Sequence, residues 1–326
     1  MGLGLKDGIE TIPAFHDSEF HELDIPQSHF HPGYLTVLAA YINHHRLQER
    51  SCTLPNDDYL QAVGLHAALW GEDRYGAARR NVGVNYSMVT PLNNVEAVDV
   101  ATSSINSCIR TLAFPDGGPY PEGIRNLMFV VGELHDNVWS HGGSTGFSFA
   151  QKSAVPNTNR TEHFIEFALA DHGLGLFREL KRANIAGIDS HQDAINWCIQ
   201  EGNSSKHADN IDEWAQQLPS DHQGHNVYGD GVAVREEQNN HQGLGLAHLL
   251  KLVNTYNGVL LLASGDVCLL ANGQNVTFKK LSRQWQGVAI SCRFKISDLA
   301  SEQLDEPIDD ELADIMRQLG GNDEND

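Results

Sequence analysis

The chain has 326 residues, of which 40% are hydrophobic and 20% are charged, a composition typical of a globular protein. A chain of this length is expected to form about two domains, each able to bury its own core. The formal net charge of −21 argues against a nucleic-acid-binding surface, because a phosphate backbone would be repelled, and it also disfavours an anionic membrane surface.

The sequence carries no signal for a membrane or an export route. No apolar run approaches the roughly 20 residues that span a bilayer, and the N-terminus lacks the basic region and apolar core of a signal peptide. The five cysteines are scattered and form no C-x-x-C pair, which favours buried thiols in a reducing compartment. We therefore expect a cytoplasmic protein that binds neither a membrane nor nucleic acid directly.

Residues 1–33 are polar and interrupted by Pro13, Pro26 and Pro32, which predicts an irregular N-terminal extension. Histidines crowd this stretch, but no cysteine joins them and their spacing is not that of a known metal site. We expect surface histidines rather than metal ligands at four positions: His16, His21, His29 and His31.

Residues 34–120 alternate between helical and extended patterns, which predicts a small α/β domain. Its predicted elements are helices over 35–42, 57–69 and 94–113, with extended segments near Cys52 and over 81–92. The Pro- and Gly-rich run 114–121 is the best candidate linker. The segment from Thr53 to Leu69 is loosely similar to STAS-like (sulfate-transporter and anti-sigma-antagonist) domains, and no residue function is carried over from that resemblance.

A helix with two polar residues on one face follows the linker. Its apolar stripe repeats at three- and four-residue steps: Ile124, Leu127, Met128, Val131, Leu134 and Val138. Glu133 and Asn137 are four residues apart, so they stand together on one face of this helix. A carboxylate beside an amide oxygen suits a hard cation such as Mg²⁺ and a water to be activated.

A second polar cluster follows a predicted strand over 164–170. Asp171 leaves the end of that strand, where it could accept a hydrogen bond from an exocyclic amine. Gly173 and Gly175 come next, and their missing side chains let the backbone approach a ligand closely.

A third cluster, Gly243, Leu244 and Gly245, opens another apolar helix. A glycine-rich turn that leads into a helix offers free N–H groups and a positive dipole end to phosphate. Further strands are predicted after this helix, over 259–263, 266–270, 276–279 and 287–296, with a hairpin turn at Asn272-Gly273.

These elements predict an α/β fold over 121–297, an α+β two-layer sandwich in which a mixed sheet is covered on one face by helices. Residues 201–241 lose their periodicity, which is typical of a functional lid or a disordered segment. Residues 298–326 form an acidic tail with a helical stripe (Ile308, Leu312, Ile315, Leu319), which we expect to be a solvated helix.

The three clusters, in this order, resemble the N box and the two glycine boxes of the GHKL superfamily, which includes gyrase, a heat-shock chaperone, histidine kinases and mismatch-repair MutL. The resemblance covers residues 121–297 and implies a domain that binds ATP and Mg²⁺. It implies that Asn137 helps hold Mg²⁺, that Asp171 accepts from the adenine amine, and that Glu133 activates water or assists phosphotransfer.

The resemblance also assigns the remaining site residues. The glycines and Leu244 shape the nucleotide pocket, and the segment 201–241 lies where this superfamily carries its ATP lid. Three lid residues could reach the phosphates: Ser204, Ser205 and Lys206.

Several reactions remain open, because the binding elements are shared across the superfamily. A sensor histidine kinase is disfavoured, since His44 and His45 are followed by Arg46 and lie far upstream of Glu133. An anti-sigma-type serine kinase, a slow ATPase switch and a non-catalytic nucleotide-gated interaction module are all retained. Each implies a protein partner or phosphoacceptor, and a homodimer is left open.

Overall fold

Helices and strands occur throughout the described part of the chain, and the prediction of an α/β fold is confirmed. The computed structural model describes residues 2–55, 57–113, 120–138, 145–200, 203 and 245–301. The helices are α1 (Leu5–Thr11), α2 (Pro32–His44), α3 (Asp57–Ala62), α4 (Leu65–Trp70), α5 (Val95–Ala113), α6 (Glu122–Asn137), α7 (Leu176–Arg182), α8 (His191–Cys198), α9 (Gly245–Thr255) and α10 (Ile296–Leu299). The strands are β1 (His16–Asp17), β2 (Glu22–Asp24), β3 (Cys52–Thr53), β4 (Thr90–Leu92), β5 (Gly146–Ala154), β6 (His163–Asp171), β7 (Val259–Asn272) and β8 (Asn275–Lys295).

The main sheet has five strands in the order β4-β5-β6-β8-β7, and every neighbouring pair is antiparallel. The predicted mixed pairing occurs instead in the small sheet β1-β2-β3, where β2 and β3 run parallel. The predicted turn joins β7 to β8 as a hairpin, with Asn272 opposite Asn275. Such short connections join antiparallel strands, whereas parallel neighbours need a long crossover. This local connectivity explains why β7 and β8 pair in antiparallel fashion.

The predicted strands over 259–263 and 266–270 are parts of one long strand. Register shifts interrupt β7 between Ala263 and Val267, so the strand bends there without ending. Gly265 sits in this bulge with a φ of +67°, a conformation that a glycine adopts easily. The sequence prediction split β7 at the residues that form the bulge.

Helices cover both faces of the main sheet, which corrects the prediction of a single covered face. On the first face, α5, α6 and α9 pack over apolar residues of the strands, including Phe167, Leu169, Leu262 and Ile290. On the second face, α1 and α2 pack over Phe147, Phe149, Ala170 and Ala289. Every residue of α2 from Pro32 to Ile42 is buried, because this helix lies between the sheet and the N-terminal segment.

The region before Pro121 shares both of these cores. Strand β4 is an edge strand of the main sheet, and α5 contributes Ile105 and Ile109 to the core beneath α6. The described residues therefore do not divide at the predicted boundary near 120 into two separately packed cores. Within the predicted helix 57–69, Gly64 adopts a φ of +80° and separates α3 from α4.

Residues 2–33 are folded onto the second face of the sheet, which corrects the prediction of an irregular extension. They form α1, β1 and β2, and their apolar side chains are buried: Leu5, Ile9, Ile12, Leu23, Ile25 and Phe30. Burial of these side chains against α2 outweighs the polar composition of the segment. Of its histidines, His21 and His29 are exposed as expected, whereas His16 and His31 are half-buried.

Some predicted segments lie outside the described residues: 114–119 of the linker, the lid 201–241 apart from Asn203, and the tail from 302 onward. Within the ranges given above, no helix has the length and apolar character needed to cross a membrane.

Replacement of Gly258 tests how tightly the end of α9 is fitted to the sheet. Gly258 precedes β7, and a Cβ atom there would overlap the ring of Phe294, which is 1% exposed. We expect Gly258→Ala to lower the free energy of unfolding in urea by about 1–3 kcal/mol, because overpacked core sites must shift. Gly76→Ala is the matched control, since the space beside Gly76 is open, and it should change that free energy by less than about 0.5 kcal/mol. Equal effects of the two replacements would contradict this packing.

Candidate functional site

The start of α9 lies directly against the polar face of α6. A Cβ atom at Gly245 would lie 3.0 Å from Cβ of Glu133 and 3.5 Å from Nδ2 of Asn137. Glu133 is buried and Asn137 is half-buried. The missing side chain at Gly245 therefore allows the close approach of the two helices, and the first and third sequence clusters meet at this point.

The side chain of Asp171 projects from the face of the sheet that α6 covers. It is the last residue of β6 and pairs with Gly146 of β5. A Cβ atom at Gly146 would point at Val138, 2.7 Å from its Cγ1 atom, and Val138 directly follows Asn137. Residues directly opposite each other in an antiparallel pair project to the same face. The carboxyl group of Asp171 and the polar end of α6 therefore lie on one side of the sheet.

The carboxyl group of Asp171 is buried and is held by the backbone that follows it. Its Oδ1 atom accepts a hydrogen bond of 2.7 Å from the N–H of Gly173. Burial raises the pKa of Asp171 to about 6, and hydrogen bonds from the N–H groups of Gly173 and Val288 oppose this rise. Asp171 is therefore mostly ionised at neutral pH and offers a hydrogen-bond acceptor at the strand end.

Two glycines shape the turn after Asp171. Gly175 has a φ of +75°, and a Cβ atom there would lie 3.1 Å from the carbonyl oxygen of Gly287. Gly287 of β8 has a φ of +101°, and a Cβ atom there would lie 2.8 Å from Oδ1 of Asp171. Only glycine fits both positions without a shift of the backbone. Gly175 was predicted from the sequence, whereas Gly287 was missed, since a glycine within a strand pattern carries no sign of its neighbour across the sheet.

His135 was also missed, although it lies between Glu133 and Asn137 in sequence. It is fully buried, with Nδ1 at 2.8 Å from the hydroxyl of Thr102 on α5 and Nε2 at 2.8 Å from the hydroxyl of Ser148 on β5. Burial lowers the pKa of His135 to about 3, so the imidazole is neutral at neutral pH. This network fixes α6 against α5 and the sheet, and thereby fixes the direction in which Glu133 and Asn137 point.

The structure thus places Gly245 against Glu133 and Asn137, and it places Asp171 on the same face of the sheet, with Gly173 and Gly175 in the turn that follows. Ser204, Ser205, Lys206, Gly243 and Leu244 lie outside the described residues. Among the residues described, no group of three or more His, Cys, Asp or Glu side chains could hold a metal ion. The carboxylate of Glu133 and the amide oxygen of Asn137 are hard oxygen donors, which fit Mg²⁺ when ligand phosphates and water complete its octahedron.

Comparison of the chain with known proteins found no matching family model, no matching curated protein and no matching solved structure.

The neutral state of His135 makes stability depend on pH. The folded-state pKa of about 3 lies below the value of about 6.5 for an unfolded chain. Between these values the unfolded state binds one more proton, so the free energy of unfolding falls as the pH decreases from about 6.5. We expect His135→Gln, which can still bond both hydroxyls, to reduce this slope by about 1.4 kcal/mol per pH unit between about pH 4 and 6.

The measurement is urea unfolding at a series of pH values. Thr102→Val is the matched control, because it breaks the same network but keeps the imidazole, and it should retain the steep slope. An unchanged slope in His135→Gln would show that His135 does not take up the proton.

Proposed function

We propose that this chain binds ATP with Mg²⁺ between α6, the end of β6 and the start of α9, and acts as an ATP-dependent protein kinase or slow ATPase switch. The observation that carries this proposal is the seating of Gly245 against Glu133 and Asn137, on the sheet face that also holds Asp171. This contact between segments that are distant along the chain supports the proposal. The antiparallel sheet with α6 and α9 packed on this face also supports the resemblance.

The site offers a distinct group to each part of the nucleotide. Asp171 accepts from the exocyclic amine of adenine, and a carboxylate acceptor selects adenine over guanine, which presents a carbonyl at the corresponding position. Asn137 is the proposed protein ligand of Mg²⁺, which when bound neutralises phosphate charge. Glu133, one helical turn before Asn137, would orient or deprotonate the attacking hydroxyl or water.

The burial of Glu133 favours one alternative. Glu133 is only 4% exposed and interacts with other protein groups, so its carboxylate is less available to a nucleophile. The chain would then be a non-catalytic module in which nucleotide binding controls docking to a protein partner. Both functions require a partner, and both suit the cytoplasm, because all five cysteines are free thiols.

Replacement of Asp171 by asparagine tests adenine recognition. Asp171→Asn keeps the size of the side chain and can still accept from Gly173, but it removes the ionised acceptor. We expect affinity for Mg–ATP in calorimetry to fall by about 10- to 100-fold, and preference over GTP to be lost, because the adenine amine loses a charge-assisted hydrogen bond.

The pH dependence sharpens this test. The difference in Mg–ATP affinity between the wild type and Asp171→Asn should shrink as the pH falls below about 6, where Asp171 becomes protonated. Asp99→Asn, a change at an exposed position of α5, is the matched control and should bind ATP like the wild type. Unchanged affinity in Asp171→Asn would remove the basis of the nucleotide assignment.

Replacement of Glu133 by glutamine separates catalysis from binding. We expect Glu133→Gln to bind ATP with nearly wild-type affinity, while turnover or transfer falls by about 10²-fold or more, because general-base assistance is lost. The experiment follows γ-labelled ATP with and without candidate partners. Label on a protein identifies a kinase, and free phosphate identifies an ATPase. Equal rates for the wild type and Glu133→Gln would favour the nucleotide-gated module.

A further inference from the structure

A cavity lies on the α2 face of the sheet, opposite the proposed nucleotide site. It has a volume of about 520 Å³ and opens between the end of α2, the turn after β6, and the bend in the β7–β8 hairpin. We call it the arginine–histidine cavity, and its chemically active lining residues are Arg178, Arg283, His44, His172, His191 and Trp285. Its volume is in the range of small-molecule sites in proteins.

The charge of this cavity opposes that of the chain. The protein has 43 acidic and 22 basic residues, yet among the described residues no Asp or Glu lines the cavity. Arg178 and Arg283 line it, and within the described ranges neither guanidinium forms an ion pair with a carboxylate. Burial raises the pKa of Tyr41, another lining residue, and the charge of Arg283 opposes that rise. The cavity is therefore an electropositive site on a strongly acidic protein.

Buried hydrogen-bonding atoms in the cavity wall have no protein partner. Trp285 is 3% exposed, and in the described part of the chain its indole Nε1 has no hydrogen-bond partner. The same holds for Nδ1 of His172. An indole N–H can only donate, so the group that would satisfy Trp285 is an acceptor. Buried polar atoms are usually paired, and these two belong to residues that line the cavity.

The wall also presents flat aromatic surfaces. The ring of His44 stacks on that of His172, with centroids 4.0 Å apart, and the centroid of His172 lies 4.4 Å from that of Trp285. Burial, together with the neighbouring His44 and His45, lowers the pKa of His172 to about 3. The imidazole of His172 is therefore neutral at neutral pH, and it can pack against other rings without charge repulsion.

His191 completes the wall in a fixed orientation. Its Nδ1 atom lies 2.7 Å from Oδ1 of Asp266, and a Cβ atom at Gly265 would overlap its ring. Asp266 is thus engaged behind His191, and its negative charge is partly balanced there by Lys280, whose Nζ lies 3.7 Å from Oδ2. Asp266 itself does not line the cavity.

We propose that the arginine–histidine cavity binds a small organic anion, whose carboxylate or phosphate group is held by Arg178 and Arg283 and whose planar ring lies against the exposed ring of His44. The two guanidiniums supply the charge, and the aromatic wall supplies the surface for a ring. This site lies on the α2 face of the sheet, and it shares Gly175 with the turn of the proposed nucleotide site.

The test uses the full chain and three simple probes: phenyl phosphate, benzoate and inorganic phosphate. Binding is measured by calorimetry and by ligand-observed NMR. We expect phenyl phosphate or benzoate to bind with a millimolar or lower dissociation constant, and the stronger of the two identifies the anionic group. Inorganic phosphate should bind more weakly, because it lacks the ring. Absence of binding by both aromatic anions would overturn the proposal, and equal affinity for inorganic phosphate would overturn the ring-binding part.

Variants locate the binding in the cavity. Arg178→Gln and Arg283→Gln remove exposed charges and should keep the fold, as checked by thermal unfolding. Each should weaken binding of the aromatic anion by about tenfold, the loss typical of a charged hydrogen bond. Arg80→Gln, an equal charge change at an exposed site outside the cavity, should leave the affinity unchanged. An equal loss in all three variants would show a nonspecific charge effect and overturn the assignment.

Discussion

Strand β6 is held between β5 and β8 by continuous antiparallel ladders, and both of its faces are covered by helices. Its apolar side chains on one face, including Phe167 and Leu169, anchor the layer of α5, α6 and α9. Its other face presents small residues, Ala168 and Ala170, and their size allows α2 to pack closely. A strand that is paired on both edges and buried on both faces has no room to shift its register. The position of Asp171, at its end, is fixed by the same constraints.

The polar groups of the first face depend on two close approaches between segments distant in sequence. Gly245 lets the start of α9 lie against α6, and Gly287 lets β8 lie against the turn after Asp171. The hydrogen bonds of His135 to Thr102 and Ser148 hold α6 in one rotation about its axis. Because each of these contacts is buried and specific, the described part of the proposed nucleotide site is held in place by the fold, which lowers the entropic cost of binding.

The sequence was informative where a pattern is local. Helices α5, α6 and α9 were predicted because their apolar residues repeat at helical spacing, and the shared face of Glu133 and Asn137 follows from their four-residue separation. Leu5, Ile9 and Ile12 also have helical spacing, but the prolines and histidines around them obscured it. The second helical layer was missed because alternation along β6 does not reveal what covers Ala168 and Ala170. Gly287 and the partners of His135 depend on strand pairing and helix packing between distant segments, which no local pattern encodes.

The end of β6 has a thermodynamic consequence for the two faces of the sheet. Asp171 projects toward α6, whereas the next residue, His172, packs against His44 and Trp285 on the α2 side. Consecutive residues of one peptide segment therefore form a wall of each site. A ligand that displaces this segment at one site would change the free energy of ligand binding at the site on the other face. Reciprocity requires that the factor by which a nucleotide changes anion affinity equals the factor by which the anion changes nucleotide affinity.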